Sequence, residues 1–294
     1  LTLNDSKGSL SFNTGLIQGG TLAVAIGSSA KYILSGNRSG TFDNVILNTN
    51  VDITGNASLN IQNGLTLNST ITLGDQVGTS HAYMNWLGTQ TLTGTGNIVF
   101  NANTASGYTA YLRGSGAAST LTLDTGIGLQ HTGGYGVLGN SGYNLINKGT
   151  ITGSNATASQ TLIIAGTSFD NQGTVLATGG GDVLINATNW TNTGALKTET
   201  GSTLSLGGAF GTAALNGLVI AGGSYNINGT IDNNGNTLLI NNQTGDVQLS
   251  SGGGISGGII QTADGKQLLV NSGTLSNVTL DTDLTLSNDT LNIA

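Results

Sequence analysis

Apolar and polar residues alternate along most of this chain in short runs. Leu65-Thr66-Leu67, Thr70-Ile71-Thr72-Leu73, Leu121-Thr122-Leu123, Leu204-Ser205-Leu206 and Leu284-Thr285-Leu286 are examples. A period of two puts alternate side chains on opposite sides of an extended backbone, the pattern of a half-buried strand. Each run closes on Gly, Asn, Asp or Ser, which accept left-handed backbone or bond their own main chain. No useful stretch carries an apolar period of three to four. The helix-favouring Glu, Lys, Arg, Gln and Met are scarce. The pattern predicts an all-β fold of many short strands, which leaves a sandwich, a barrel or a solenoid.

Internal repeats select the solenoid. The motif apolar-x-Asn-x-Gly-(Thr/Ala)-aliphatic occurs at Leu145–Ile151, Phe169–Val175 and Trp190–Leu196. Its glycines, Gly149, Gly173 and Gly194, are 24 and then 21 residues apart. A looser copy follows at Ile227–Ile231, and second strands stand at Leu162–Ile164, Val183–Ile185 and Leu204–Leu206. A period in the low twenties with two or three short strands suits one coil of a parallel β-helix. At that period the chain makes about 14 coils and a rod of about 65 Å. Residues 1–294 are expected to form a single β-helix segment, with irregular, loop-rich coils at 75–142.

A longer repeat is superimposed. Gly40–Ile53 matches Gly273–Leu286 at a constant offset of 233 residues, from 40 to 273. Leu59-Asn60-Ile61 answers Leu291-Asn292-Ile293, and Gly15–Gly20 answers Gly254–Gly258 with a gap. The expectation is one unit of 233 residues plus the start of the next, a segment of a longer protein.

Composition narrows the chemistry. Charged residues make up 7% of the chain, against about 25% in an average soluble domain. With no Cys there is no disulfide, thiolate site or thiol nucleophile. The net charge of −7 argues against nucleic acid, which needs a basic stripe. No apolar run is long enough for a membrane span, and Leu1–Lys7 has no signal-peptide pattern. The hydrophobic share of 37% still provides a core, so low charge here does not mean disorder.

Enzyme chemistry lacks parts. Glycoside cleavage needs two carboxylates facing one bond, and the single Glu199 and thirteen Asp are thinly spread. Asp281, Asp283 and Asp289 cluster, Asp43 and Asp52 lie loosely together, and Arg38 and Arg113 are isolated. His81 and His131 have only Asp75 and Asp124 as nearby acids, too few ligands for a metal. Gly179–Val183 approximates a calcium-binding β-roll repeat only once. The clusters Gly94-Thr95-Gly96 and Gly133–Gly136 lack a P-loop's lysine and strand–loop–helix setting. The Thr-x-Thr pairs, such as Thr70/Thr72 and Thr191/Thr193, are spaced too irregularly for one flat ice-binding face. Asn-x-Ser/Thr triplets, as at Asn56 and Asn186, are expected by chance in this composition and leave glycosylation open. No catalytic residue, metal ligand or cofactor is assigned, and the chain is expected not to be an enzyme.

The Asn-x-Gly-Thr coils, the Leu-x-Asn-Val-x-Leu segments and the run Gly64–Gly74 together resemble filamentous-haemagglutinin-like and autotransporter passenger β-helices. The resemblance covers most of the chain. It implies a right-handed parallel β-helix, export to the bacterial cell surface, and an adhesive or matrix role. The partners it implies are a glycan or cell surface and lateral copies of the rod, with no membrane insertion by this segment. A polysaccharide-binding or polysaccharide-degrading β-helix is the alternative.

Two groups of residues stand out. The aromatics Tyr83, Trp86, Tyr108, Tyr111 and Tyr135 crowd the irregular middle and are the candidate surface-binding residues. Asn147, Asn171 and Asn192 share one motif position, and in-register coils would stack their amides into a structural ladder.

Overall fold

The computed structural model describes residues 1–294 except 79, 106 and 158, and except the side chains of 285 and 287–289. It is an all-β solenoid of about 13 turns. A full turn carries three short strands. In one turn, 162–166 lies on a first face, 168–171 on a second and Thr174–Ala177 on a third, with Leu162–Asn171 bending across the corner between the first two. Each strand pairs in parallel with its counterpart one turn on: Leu162 with Val183, Phe169 with Trp190, Thr174 with Ala195. The count falls short of 14 because both end turns are incomplete and the middle turns are long. The first turn has only Thr2–Leu3 and Leu10–Ser11, and the last has Leu284–Ile293.

Strand alternation fills the interior. Leu145, Phe169 and Trp190 align on the second face, all buried, and Trp190 stacks on Phe210 at 4.3 Å. The Trp190 indole N–H donates to the Gly207 carbonyl at 2.8 Å, so its polar edge is satisfied inside the core. Aliphatic rows of this kind are the main favourable term, at about 25 cal/mol per Å² of apolar surface removed from water.

The Asn-x-Gly motif is a corner between the second and third faces. A Cβ on Gly173 would lie 2.1 Å from the Gly149 carbonyl oxygen, and one on Gly194 would lie 2.0 Å from that of Gly173. Glycine is required there by close approach of successive turns and not by a left-handed backbone.

Turn length varies along the rod. Val183 pairs with Leu204, 21 positions on, whereas Leu65 pairs with Leu92 and Leu92 with Leu123, 27 and 31 positions on. The extra residues form stacked loops beside the first face. There Asn103 Nδ2 donates to the Gly78 carbonyl at 2.9 Å and Gln76 Nε2 to Asn101 Oδ1 at 2.5 Å. The third face is interrupted once, where Leu218–Ala221 and Thr237–Ile240 fall in separate sheets.

The 233-residue match has a structural meaning of its own. Gly40 lies on the first face, paired with Leu59, while Gly273 lies on the second, paired with Gly253. Leu59-Asn60-Ile61 and Leu291-Asn292-Ile293 are displaced by the same one face, as are Leu16–Gln18 and Gly253–Ser256. The shared element is a corner, with Asn44 at φ 53° and Asn277 at φ 54°, a left-handed conformation that Asn tolerates better than most residues.

Candidate functional site

The first face of the long turns has an unusual outer surface. In Ala82–Leu87, alternation turns Ala82, Met84 and Trp86 into the core and points Tyr83, Asn85 and Leu87 outward, Asn85 being largely covered. Register then stacks Tyr83 on Tyr111, Tyr111 on Val137, Val137 on Ile163 and Ile163 on Leu184. All five are partly exposed. Ser58 precedes the row and Ser205 follows it, so the apolar strip is bounded at both ends. At about 4.8 Å per turn the strip runs about 20 Å along the rod.

Polar groups border the strip. Tyr83 and Tyr111 stack at 5.2 Å with 9° between ring planes, and the Arg113 guanidinium carbon sits 4.6 Å and 5.5 Å from their centroids. Arg113 Nε donates to Asn85 Oδ1 at 3.2 Å, and Asn85 Nδ2 donates to Asn60 Oδ1 at 2.9 Å. Two amides and two rings therefore orient one guanidinium. Among the described residues it makes no ion pair, and its two Nη groups keep their donors.

On the other border, His81 Nδ1 accepts the Thr109 backbone N–H at 3.1 Å, which assigns the ring proton to Nε2. Its ring lies 5.4 to 6.1 Å from those of Tyr83, Tyr108 and Tyr111. Tyr135 is on the first face of the next turn, and its N–H bonds the Tyr108 carbonyl at 3.0 Å. The first-face strands from Ser58 to Ala165 contain no Asp or Glu. Over these turns an acidic rod thus carries one cation and no carboxylate in its first-face strands, with Asp43 in the turn before and Asp182 in the turn after.

Comparison with protein-family models, with curated proteins and with solved structures finds no match for the chain.

Of the five candidate aromatics, the structure gathers Tyr83, Tyr108 and Tyr111 around His81, sets Arg113 over Tyr83 and Tyr111, and places Tyr135 one turn on, joined to Tyr108 through the backbone. Trp86 has to be corrected. It is 0% exposed and points into the core, because it shares the parity of Ala82 and Met84. Its partner one turn on is Gly114, and the Tyr143 ring fills the space a Gly114 side chain would take, meeting Trp86 edge-to-face at 5.8 Å. Val137, Ile163, Leu184, Asn85 and Arg113 join the surface without having been picked out as binding residues. Their signal is the register itself, which unequal turn lengths hide in the linear sequence.

Asn147, Asn171 and Asn192 come together at the second-face corner. Asn147 Nδ2 donates to Asn171 Oδ1 at 2.7 Å, Asn171 Nδ2 to Asn192 Oδ1 at 2.7 Å, and Asn192 Nδ2 to the Ala214 carbonyl at 2.9 Å. All three are buried. Asn233, fully buried, continues the column by accepting from Thr212 Oγ1 and donating to the Gly257 and Ile259 carbonyls.

The other titratable residues are dispersed. Among the described residues no three His, Cys, Asp or Glu side chains lie close enough to share a metal. His131 is fully buried; Nε2 faces the Gly134 carbonyl at 2.8 Å and Nδ1 has no partner. Burial holds its pKa below the ordinary histidine value, with the Gly134 bond opposing. Asp43 accepts from Asn63, Gln62 and Gln18 at 2.7, 3.1 and 3.2 Å, and these bonds hold its carboxyl below the usual range. Asp281 and Asp283 line a cavity of about 570 Å³ with Lys266, while the Asp289 side chain lies outside the described residues. Thr70 and Thr72 stand on the third face, Thr91 and Thr93 on the second.

Proposed function

We propose that this chain is a structural and adhesive rod segment of an exported bacterial surface protein, spacing what lies at its ends and offering its first face to a partner. The observation that carries the reading is the bounded, in-register strip from Tyr83 to Leu184, bordered by Arg113, with no Asp or Glu in its first-face strands until Asp182 beside Leu184. Outward positions of a solvated strand are ordinarily polar, and a contiguous apolar row with a polar border is the signature of an interaction surface. Stacked turns supply length by repetition, each turn supporting the next. The motif resemblance to filamentous-haemagglutinin-like and autotransporter passenger segments supports placing this rod outside the cell. Immunogold labelling of intact source cells with an antibody to the chain tests this. Surface label is expected; label seen only after permeabilisation overturns it.

A second reading, polysaccharide cleavage, is favoured by one observation: Lys266, Asp281 and Asp283 line the same cavity. Release of reducing ends from polysaccharides, abolished by Asp283→Asn, would establish it. Unchanged substrate leaves the rod.

A further inference from the structure

We propose that the first-face strip binds a linear polysaccharide whose sugars carry carboxylates, lying parallel to the rod axis with one carboxylate on Arg113. This rests on the reading of that face as an interaction surface.

Three features of the strip select such a ligand. The first is shape. Tyr83, Tyr111, Val137, Ile163 and Leu184 repeat once per turn in a straight line. A rise of about 4.8 Å per turn is comparable to the length of one sugar ring in an extended chain. The C–H faces of successive sugars can then rest on successive side chains. A globular partner would need a broad patch, whereas this surface is one side chain wide and five turns long.

The second is the cation. The Arg113 guanidinium is aimed by Asn85 and the two tyrosine rings, and its Nη donors are unspent. A planar fork held in this way matches a carboxylate through two parallel bonds, and less of its rotamer entropy remains to be lost on binding. His81 adds an Nε2–H donor, the proton position fixed by Thr109. The hydroxyls of Tyr83 and Tyr111 have no protein partner among the described residues and can meet sugar hydroxyls.

The third is the field. The chain has net charge −7, so an anionic polymer is repelled over most of the rod. From Tyr83 to Ile163 the strip joins apolar contact and an unpaired cation with no Asp or Glu in its first-face strands, and the one carboxylate in its last strand, Asp182, stands beside Leu184 at the end remote from Arg113. Repulsion elsewhere and attraction here fix where the polymer lies.

Calorimetric titration of the full chain tests the proposal with three linear carboxylated probes: oligogalacturonate, oligomannuronate and hyaluronate oligomers. At least one is expected to bind, with affinity falling as salt rises. Methyl-esterified oligogalacturonate and a sulfated oligosaccharide are the counter-probes, and both should bind at least about tenfold more weakly. Arg113→Gln is expected to weaken the carboxylated probe about tenfold and to leave the ester unchanged. Ile163→Ser, remote from the cation, should weaken acid and ester alike. Arg38→Gln, whose native guanidinium bonds Ser11 elsewhere on the rod, should change neither. Melting temperatures of the variants matching the parent show that they fold. Binding by none of the three probes, equal affinity for acid and ester, preference for the sulfated probe, or an unaffected Arg113→Gln overturns the proposal. So does a strip found blocked by self-association that Ile163→Ser abolishes. Failure here leaves the immunogold result standing, and cytoplasmic label leaves the titration standing.

Discussion

The side-chain amide of Asn147 donates to the side-chain oxygen of Asn171 one turn away, at 2.7 Å and out of reach of solvent. Each interior amide of this column is both donor and acceptor, so one turn cannot slide past the next without breaking it. A buried donor or acceptor left without a partner costs about 1–3 kcal/mol. Asn171→Leu strands the Asn192 Oδ1 and one of the two Asn147 Nδ2 donors, the other keeping the Thr174 carbonyl at 3.2 Å. A loss of about 2–4 kcal/mol is expected, read from the denaturant midpoint at unchanged slope. An unaltered midpoint would remove the ladder from the account of stability.

Gly173 is set by its distance from the turn below. Ala there places a methyl against the Gly149 carbonyl oxygen, so the two turns must separate locally and strain their backbone bonds. Gly173→Ala is expected to lower stability, whereas Gly235→Ala, where a Cβ meets nothing within 4 Å, probes the other cost of losing glycine. Gly235 has φ 70°, so its penalty is about 1–2 kcal/mol of left-handed strain alone. Comparing the two variants by thermal melting separates close approach from dihedral strain, and the Gly173 variant should melt lower.

His131 is expected to make the rod sensitive to mild acid. Its folded pKa is depressed by burial, so the unfolded chain takes up the proton first. Its neutral form is favoured above about pH 6.5, the unfolded value. Stability therefore falls as pH drops below that value towards the folded pKa. His131→Leu removes the titration, and the Gly134 carbonyl keeps the Asn155 amide at 3.1 Å. Melting at pH 7.5 and pH 5 is expected to show a larger drop in the parent than in the variant. Equal drops would assign the acid response elsewhere.

Trp86 belongs to the core, and its removal should be read as a core substitution. Trp86→Ala is expected to cost about 3–5 kcal/mol. Gly114→Ala should also destabilise, because its methyl would displace the Tyr143 ring that packs on Trp86. Combining the two measures their coupling: the double variant should lose less than the sum, since the space vacated by Trp86 lets Tyr143 retreat.

Much of this fold is legible in the chain because alternation and corner chemistry agree. Leu204-Ser205-Leu206 announces a strand, and Phe169-x-Asn171-x-Gly173 announces an inward ring, a laddered amide and a tight corner together. The surface is harder to read. Parity sends Trp86 inward with Ala82 and Met84, whereas its setting among tyrosines in a loop-rich stretch points outward. The strip depends on which residues of different turns lie side by side. With 28 positions from Tyr83 to Tyr111 and 21 from Ile163 to Leu184, no fixed period in the sequence exposes it. Only hydrogen-bonded register does.

The one-face displacement of the 233-residue match carries a consequence for any protein in which that pattern recurs. Each recurrence would begin a third of a revolution further round than the last. Equivalent surfaces would then look out in three directions in succession, like leaves set around a stem, and every third would share a bearing. Neighbouring ligands would stand clear of one another, and a partner approaching from any side would meet a copy within three intervals.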